Sequence, residues 1–172
     1  MIVSEYAGET ILRMVEKGDK LTPSWVCDVS IQLIQSYQRM VSLNIIHNDM
    51  KADNICVAND SNGSPHVTII DFGLCTKPGK VLYPTAVPEG CRINQYWMAP
   101  EILEGHAGNY SSDMYSLGVL FDWLFNLYLP QPLPHNVRTQ LDAARHYCPS
   151  HRPHPDVLLN CLEKYKDQID GN

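Results

Sequence analysis

A short polar segment, HNDMKADN at residues 47–54, contains most of the residue types that proton transfer and charge neutralisation require. Asp49 could accept a proton from a hydroxyl group, and Lys51 could neutralise an anionic group during its transfer. Asn54 and, further along the chain, Asp71 offer oxygen atoms of the kind that magnesium prefers as ligands. Because phosphoryl transfer depends almost entirely on positioning and electrostatic stabilisation, these residue types suit that reaction.

The elements on either side of this segment must place these side chains together. Before it, Thr22 as N-cap and Pro23 at the first helical position predict a helix that ends near residues 42–44. After it, the β-rich runs NICVAN and VTIID are joined by a turn that contains Asn62-Gly63, which predicts a hairpin. The hairpin would return Asp71 to the side of Asn54.

The rest of the chain is expected to be mainly helical. AGETILRMVEKG predicts a turn and a short helix, and the opening MIVSEY has the character of a short strand. Ser111 or Ser112 is expected to cap a helix that is apolar on nearly every side and hence buried. The tail predicts two more helices around a proline-rich corner. Residues 74–96 show no period, which is typical of a functional or mobile segment. The predicted fold class is therefore mainly α with a small β-hairpin.

Composition excludes several classes of protein. The chain has 172 residues, of which 44% are hydrophobic and 19% charged, which argues against disorder and favours one domain. The net charge of -6, without any run of Lys or Arg, gives no support for nucleic-acid binding. The most apolar segment, LGVLFDWLFNLYL, is too short to span a bilayer. The six cysteines form no CxxC pair and predict reduced thiols in the cytoplasm.

Three motifs in order give the chain a resemblance to the protein kinase family. HNDMKADN resembles the catalytic loop H-R-D-x-K-x-x-N, DFG at 71–73 matches the metal-binding motif, and APE at 99–101 matches the end of the activation segment. Any one of these motifs would be weak evidence, but together they are specific. Lys51, two residues after Asp49, is typical of the serine/threonine branch.

Other segments extend the resemblance over nearly the whole chain. VSEYAG is similar to the hinge between the two lobes of a kinase, where Ser4 would be the gatekeeper and the backbones of Glu5 and Ala7 would contact adenine. Asp113 resembles the buried aspartate that begins the central helix, and Arg152 resembles the arginine that pairs with Glu101. The implied division of the 172-residue C-terminal lobe is hinge 1–8, catalytic loop 47–54, activation segment 71–101 and C-terminal helices 111–170.

The resemblance implies a reaction and a role for each matching residue. The reaction is transfer of the γ-phosphoryl group of ATP to a protein Ser or Thr hydroxyl, with ATP and Mg²⁺ as cofactors. Asp49 would be the base, Lys51 would neutralise the γ-phosphate, and Asn54 and Asp71 would hold magnesium. The residues expected to support the site without taking part in the chemistry are His47, Phe72, Gly73, Glu101, Asp113 and Arg152. The expected partner is a protein substrate or a regulatory protein, with no nucleic acid, membrane or metal cluster.

The chain also departs from the family pattern. It contains no glycine-rich loop and no strand lysine, so we expect the N-terminal lobe to be absent, through truncation such as an incomplete gene model. We therefore expect very weak ATP binding and little or no turnover by this chain alone. Asn48 stands where the family has an arginine that holds a phosphorylated activation segment, so phosphorylation of that segment should not switch the protein in the usual way. In GCRINQYWMAPE, the threonine that would contact the base and Lys51 has no clear counterpart.

Alternative interpretations remain for several of these features. His47 could be a base or a metal ligand, although the family uses this histidine structurally. Cys148, His151, His154 and Cys161 could suggest zinc, but three prolines interrupt them and no CxxC pair is present. Trp97 is expected to pack under the substrate loop, and the other two tryptophans in the core. For the whole chain, the alternative to a kinase is a catalytically silent pseudokinase or protein-binding module.

Overall fold

The computed structural model describes residues 7–171 and builds them mainly from helices. The helices are α1 (Ile11–Glu16), α2 (Pro23–Ser42), α3 (Glu89–Arg92), α4 (Pro100–Leu103), α5 (Tyr110–Tyr128), α6 (His135–Ala144) and α7 (Pro155–Asp170). The strands are β1 (Glu9–Thr10), β2 (Ile55–Asn59) and β3 (Pro65–Ile69). The predicted class, mainly α with a small β element, is confirmed. The predicted strand in MIVSEY and the hinge residues Ser4 and Glu5 lie outside the described residues.

The predicted hairpin forms, and a third strand joins it that the sequence did not reveal. β2 and β3 pair antiparallel with Val57 opposite Val67, and the Asp60 carboxylate accepts two backbone N–H bonds across the turn. β1 pairs with the other edge of β2, with Glu9 opposite Val57. Gly8 makes this approach possible, since a Cβ there would lie 2.3 Å from the carbonyl carbon of Val57. The sheet is therefore three-stranded rather than a lone hairpin.

Helix α2 begins and ends where the sequence predicts. The Thr22 side chain accepts a hydrogen bond from the Trp25 N–H, and Pro23 takes the first helical position. Its core-facing side chains, spaced three or four residues apart, are Val26, Val29, Leu33, Tyr37 and Met40, all of which are buried.

Hydrogen bonds from side chains of α2 fasten this helix to the hairpin. Gln32 Nε2 donates to the Pro65 carbonyl at 2.7 Å, while its Oε1 accepts from the Val67 N–H at 3.2 Å. The hairpin that carries the chain to Asp71 is thus held against the helix that precedes the polar loop.

Helix α5 lies in the centre of the core, as its uniformly apolar sequence predicts, but it begins earlier than expected. Leu117, Phe121 and Phe125 are fully buried. The N-cap is Asn109 rather than Ser111 or Ser112, and Ser112 completes a capping box from the N3 position. The predicted boundary of the C-terminal helices at residue 111 is therefore one residue late.

The C-terminal part has the predicted form of two helices around a proline-rich corner. α6 and α7 are separated by a short 3-10 helix, Pro149–His151. α6 packs closely on α5, since a Cβ at Gly118 would lie 2.8 Å from the Ala144 Cβ. None of the helices in the described part of the chain combines the length and the apolar character needed to cross a membrane.

The segment after β3 is largely irregular, as its sequence predicts, but it is tied down at both ends. Near its start, Ile46 and Thr76 form an isolated antiparallel bridge, with hydrogen bonds of 2.9 Å in both directions. Near its end, a small separate cluster is buried, formed by Met98, Ala99, Ile102 and Leu103. These two attachments fix the segment near Thr76 and again at residues 98–103.

Candidate active site

The backbone of the polar loop is held by one buried carboxylate from α5. Asp113 is fully buried, and its two oxygens accept the backbone N–H groups of His47 at 2.7 Å and Asn48 at 2.8 Å. Burial raises the pKa of Asp113 to about 7, while the two N–H donors act in the opposite direction. The residue that resembles the family's central-helix aspartate therefore contacts the loop directly.

His47 connects the loop to the end of the hairpin. Its side chain is buried, with Nε2 3.1 Å from the Ile70 carbonyl and the ring packed edge-on against Phe72. Burial lowers the pKa of His47 below its usual value of 6.5, so the ring is neutral at physiological pH. These contacts favour the supporting role over a role as base or metal ligand.

Asp49 is the centre of the polar cluster. Its Oδ2 accepts from Asn54 Nδ2 at 2.8 Å, and Asn54 Nδ2 also lies 2.9 Å from the Asp49 carbonyl. Lys51 Nζ is 3.1 Å from the same Oδ2. The structure therefore brings together the three residues of the catalytic-loop motif that the sequence singled out.

Asn54 and Asp71 lie on adjacent segments, because the Ile70 N–H donates to the Asn54 carbonyl at 2.9 Å. The Asn54 amide nitrogen is used toward Asp49, so its amide oxygen is the atom that could ligate a metal. Asp71 is exposed, with a left-handed φ of 60°, and its Oδ1 accepts from the Gly73 N–H at 3.2 Å. One carboxylate and one amide oxygen suit Mg²⁺, which commonly binds through few protein oxygens, waters and phosphates.

A buried ion pair fastens the end of the activation segment. Arg152 binds both oxygens of Glu101, at 2.7 and 2.8 Å, and Ser112 Oγ donates to Glu101 Oε1 at 2.7 Å. Burial by itself would raise the pKa of Glu101, but the bonds from Arg152 and Ser112 outweigh it and hold the pKa below its usual value. The predicted pairing of Arg152 with Glu101 is confirmed in geometry.

Trp97 is a site residue whose contacts sequence reasoning missed. Its indole Nε1 donates to Asp49 Oδ1 at 2.8 Å, and Lys51 Nζ lies 4.7 Å from the centre of its ring. The sequence predicted only a packing role for Trp97. The available signal was its place directly before Met98-Ala99-Pro100-Glu101, in the segment where the expected threonine had no counterpart.

Other predicted residues stand apart from this cluster. Phe72 is 51% exposed, and Gly73 is exposed beside Asp71. Ala7 is half-buried at the start of the described chain, while Glu5 lies outside it. The predicted adenine contacts at Glu5 and Ala7 therefore stay a prediction.

The zinc alternative gains nothing from the geometry. Cys161 is buried and accepts from Asn136, whereas Cys148 lies within 3.2 Å of Ser150 Oγ. Within residues 7–171, no cluster of three or more His, Cys, Asp or Glu side chains is placed to hold a metal ion.

Comparison with known sequences agrees with the geometry. The profile of the protein kinase domain matches residues 1–158. Serine/threonine-protein kinase shk2 of Schizosaccharomyces pombe is 29% identical over 119 residues, which are 69% of this chain and 19% of that protein. Serine/threonine-protein kinase CLA4 of Candida albicans is 30% identical over 121 residues, 69% of this chain and 12% of that protein. Serine/threonine-protein kinase TIO of Arabidopsis thaliana is 27% identical over 164 residues, 95% of this chain and 12% of that protein.

The matched part is at most 19% of the length of these three relatives. The family assignment nevertheless rests on nearly the whole of this chain. Because the protein kinase profile covers residues 1–158, the chain belongs to the protein kinase domain family, and the relatives named above are serine/threonine-protein kinases.

Proposed function

We propose that this chain transfers the γ-phosphoryl group of ATP to a serine or threonine hydroxyl of a protein. The observation that carries the proposal is the convergence of Lys51 and Asn54 on one oxygen of Asp49. Proton acceptance and charge neutralisation are the two tasks that phosphoryl transfer asks of side chains, and this cluster offers a group for each.

The roles follow from the charges and the contacts. Asp49 is an acceptor for the proton of the attacking hydroxyl and orients that hydroxyl in line with the phosphate. Lys51, three-quarters shielded from water, balances negative charge on the transferring group. Asn54 fixes the Asp49 carboxylate through its amide nitrogen, so that the base keeps one orientation as the hydroxyl approaches.

Asn54 and Asp71 would hold magnesium. When bound, the ion neutralises charge on phosphate oxygens and orients them toward the acceptor. The contribution of this chain is to present the Asn54 amide oxygen and the Asp71 carboxylate from two segments that the Ile70–Asn54 backbone bond holds together. Glu5 and Ala7 remain the proposed contacts for adenine, on the strength of the family resemblance.

A phosphoryl-transfer assay on generic protein acceptors, with γ-labelled ATP at millimolar Mg-ATP, tests the proposal. We expect slow transfer to Ser or Thr that falls about 10²–10⁴-fold in Asp49→Asn, because Asn cannot take up a proton. Asp53→Asn is the matched control, since Asp53 is an exposed carboxylate of the same loop. Equal rates for the wild type and Asp49→Asn would contradict the proposal and favour the silent protein-binding module.

The proposed partner is a protein that presents the acceptor hydroxyl, and the proposed compartment is the cytoplasm. The six cysteines, all within the described residues, are unpaired, which suits a reducing environment. The acidic net charge of -6 gives no support for a nucleic-acid partner.

A further inference from the structure

Trp97 contacts both charged groups of the proposed phosphoryl-transfer site. Its indole N–H donates to Asp49 Oδ1 at 2.8 Å. The face of its ring lies 4.7 Å from Lys51 Nζ, within the range of a cation–π interaction. One side chain therefore restrains the carboxylate and the ammonium group at the same time.

The hydrogen bonds of Asp49 show where an acceptor hydroxyl must approach. A carboxylate offers about four lone-pair sites, two on each oxygen. Oδ2 already accepts from Asn54 Nδ2 at 2.8 Å and is paired with Lys51 Nζ at 3.1 Å. Oδ1 accepts from Trp97, which leaves its second lone pair as the place for a substrate hydroxyl, directly beside the indole.

The residues that follow Trp97 along the chain hold its backbone in place. Met98 and Ala99 are buried, and Glu101 is bound by Arg152 through two hydrogen bonds. On the other side, the Tyr96 ring packs edge-on against the indole with centroids 5.4 Å apart. Because the residues that follow Trp97 are buried and fastened, its indole N–H is a preorganised donor.

We infer that Trp97 is a positioning residue, whose indole N–H turns Oδ1 of Asp49 toward the acceptor hydroxyl and whose ring holds Lys51 beside it. The effect of Trp97 on catalysis rests on the proposed phosphoryl transfer. The contact between Trp97 and Asp49 can be measured without any turnover. A residue that only filled space would leave the carboxylate and the lysine unchanged when its N–H is removed.

The first test is spectroscopic and uses the whole 172-residue chain. In a ¹⁵N–¹H spectrum, the indole resonance of Trp97 is expected to move upfield in Asp49→Asn, because a bond to a charged acceptor becomes a bond to a neutral one. The resonance of Trp25, whose indole donates to Asn59 at 3.1 Å, is the internal control and should stay in place. A Trp97 resonance that does not respond to Asp49→Asn overturns the inference.

The second test measures transfer at millimolar Mg-ATP. Trp97→Phe keeps a ring face for Lys51 but removes the donor, and we expect kcat to fall about 10²-fold while KM for ATP stays within about twofold. Trp97→His restores a ring N–H and should recover part of the loss. Trp123→Phe is the matched control, since Trp123 lines the same cavity of about 80 Å³ as Trp97 and Lys51.

The two possible failures are distinguishable. If the wild type transfers no phosphate, the proposed function fails, and the indole resonance alone decides whether Trp97 holds Asp49. If the wild type is active and Trp97→Phe matches Trp123→Phe in kcat, the positioning role is wrong while the proposed function stands. A melting temperature for each variant shows whether a low kcat reflects unfolding.

Discussion

Asn48 has a backbone conformation that few side chains adopt, with a φ of 65°. Asn tolerates this left-handed region better than most residues. Its side-chain nitrogen donates to the Leu74 carbonyl at 2.8 Å and to Thr76 Oγ1 at 2.9 Å. A neutral amide thus binds the start of the activation segment directly, at the position where the family has an arginine that would bind a phosphate.

The hydrogen bonds of the Asn48 side chain predict that its removal lowers stability, independently of any backbone strain. Asn48→Gly keeps the left-handed φ but removes the amide, and should lower the free energy of unfolding by about 1–3 kcal/mol, because the partly buried Leu74 carbonyl loses its donor. Chemical denaturation measures the change. Asn48→Ala should cost about 1 kcal/mol more, because Ala disfavours the left-handed φ. Asn160→Ala is the control and should cost little, because Asn160 is exposed on α7.

Two results would contradict this account of Asn48. One is an Asn48→Gly variant as stable as the wild type. The other is a large loss of activity after phosphatase treatment, since hydrogen bonds from a neutral amide require no phosphate on Thr76 or on the residues that follow it.

At the scale of elements, the end of the activation segment depends on one buried ion pair that joins α4 to the corner before α7. The Arg152 side chain is fully buried and also donates to the carbonyls of Ser111, His146 and Tyr147. Since both charges are largely removed from water, the loss of one partner leaves the other uncompensated.

A double-mutant cycle on this pair should show strong coupling. Arg152→Met is expected to destabilise the fold by about 3–5 kcal/mol, and adding Glu101→Gln should recover part of the loss because the stranded carboxylate is removed. Arg13→Met is the control, since Arg13 forms an exposed pair with Glu9 that should contribute less than about 1 kcal/mol. Additive effects of Arg152→Met and Glu101→Gln would show that the pair is not coupled.

The Glu101–Arg152 pair predicts how the free energy of unfolding changes with pH. The pKa of Glu101 is lower in the folded chain than its ordinary value of 4.5, so the unfolded chain binds more protons as the pH falls below that value. The contribution of Glu101 to stability is therefore present above pH 4.5 and is lost as the pH falls through the folded-state pKa. In Arg152→Met, the loss of stability on acidification should become smaller. Chemical denaturation at several pH values measures this change.

Across the whole molecule, the helical core is shielded from solvent, whereas the surface proposed to receive the nucleotide is exposed. α5 is enclosed by other helices, whereas Asp71, Phe72 and Gly73 are exposed. Charges near the surface interact in a high effective dielectric, so contacts of Asp71 with Mg²⁺ and phosphates are weaker than the same contacts in an enclosed site. The polar cluster around Asp49 is therefore better built for its proposed task than the surface that would receive ATP.

This contrast predicts weak nucleotide binding by the 172-residue chain. We expect a Kd for Mg-ATP of about 1 mM or weaker, which corresponds to about −4 kcal/mol. Calorimetric titration measures it, and Asp71→Asn should remove the magnesium-dependent part of the heat. A micromolar affinity would refute the prediction.

The sequence by itself determined the features that depend on a few neighbouring residues. Thr22-Pro23 marked the start of α2, and Asn62-Gly63 marked the turn of the hairpin, because caps and turns are local interactions. The ordered motifs also identified Asp49, Lys51 and Asn54, which the structure brings together. The roles of these residues in catalysis stay predictions.

Only the tertiary structure decided the features that depend on contacts between distant segments. β1 is two residues long and carries no period, so its pairing with β2 became visible only in space. The choice of Asn109 over the two serines as N-cap depends on the path of the chain into α5. Trp97 donates to Asp49, which lies 48 residues away in the sequence. No local pattern encodes that hydrogen bond, because it forms only where two separately anchored segments meet.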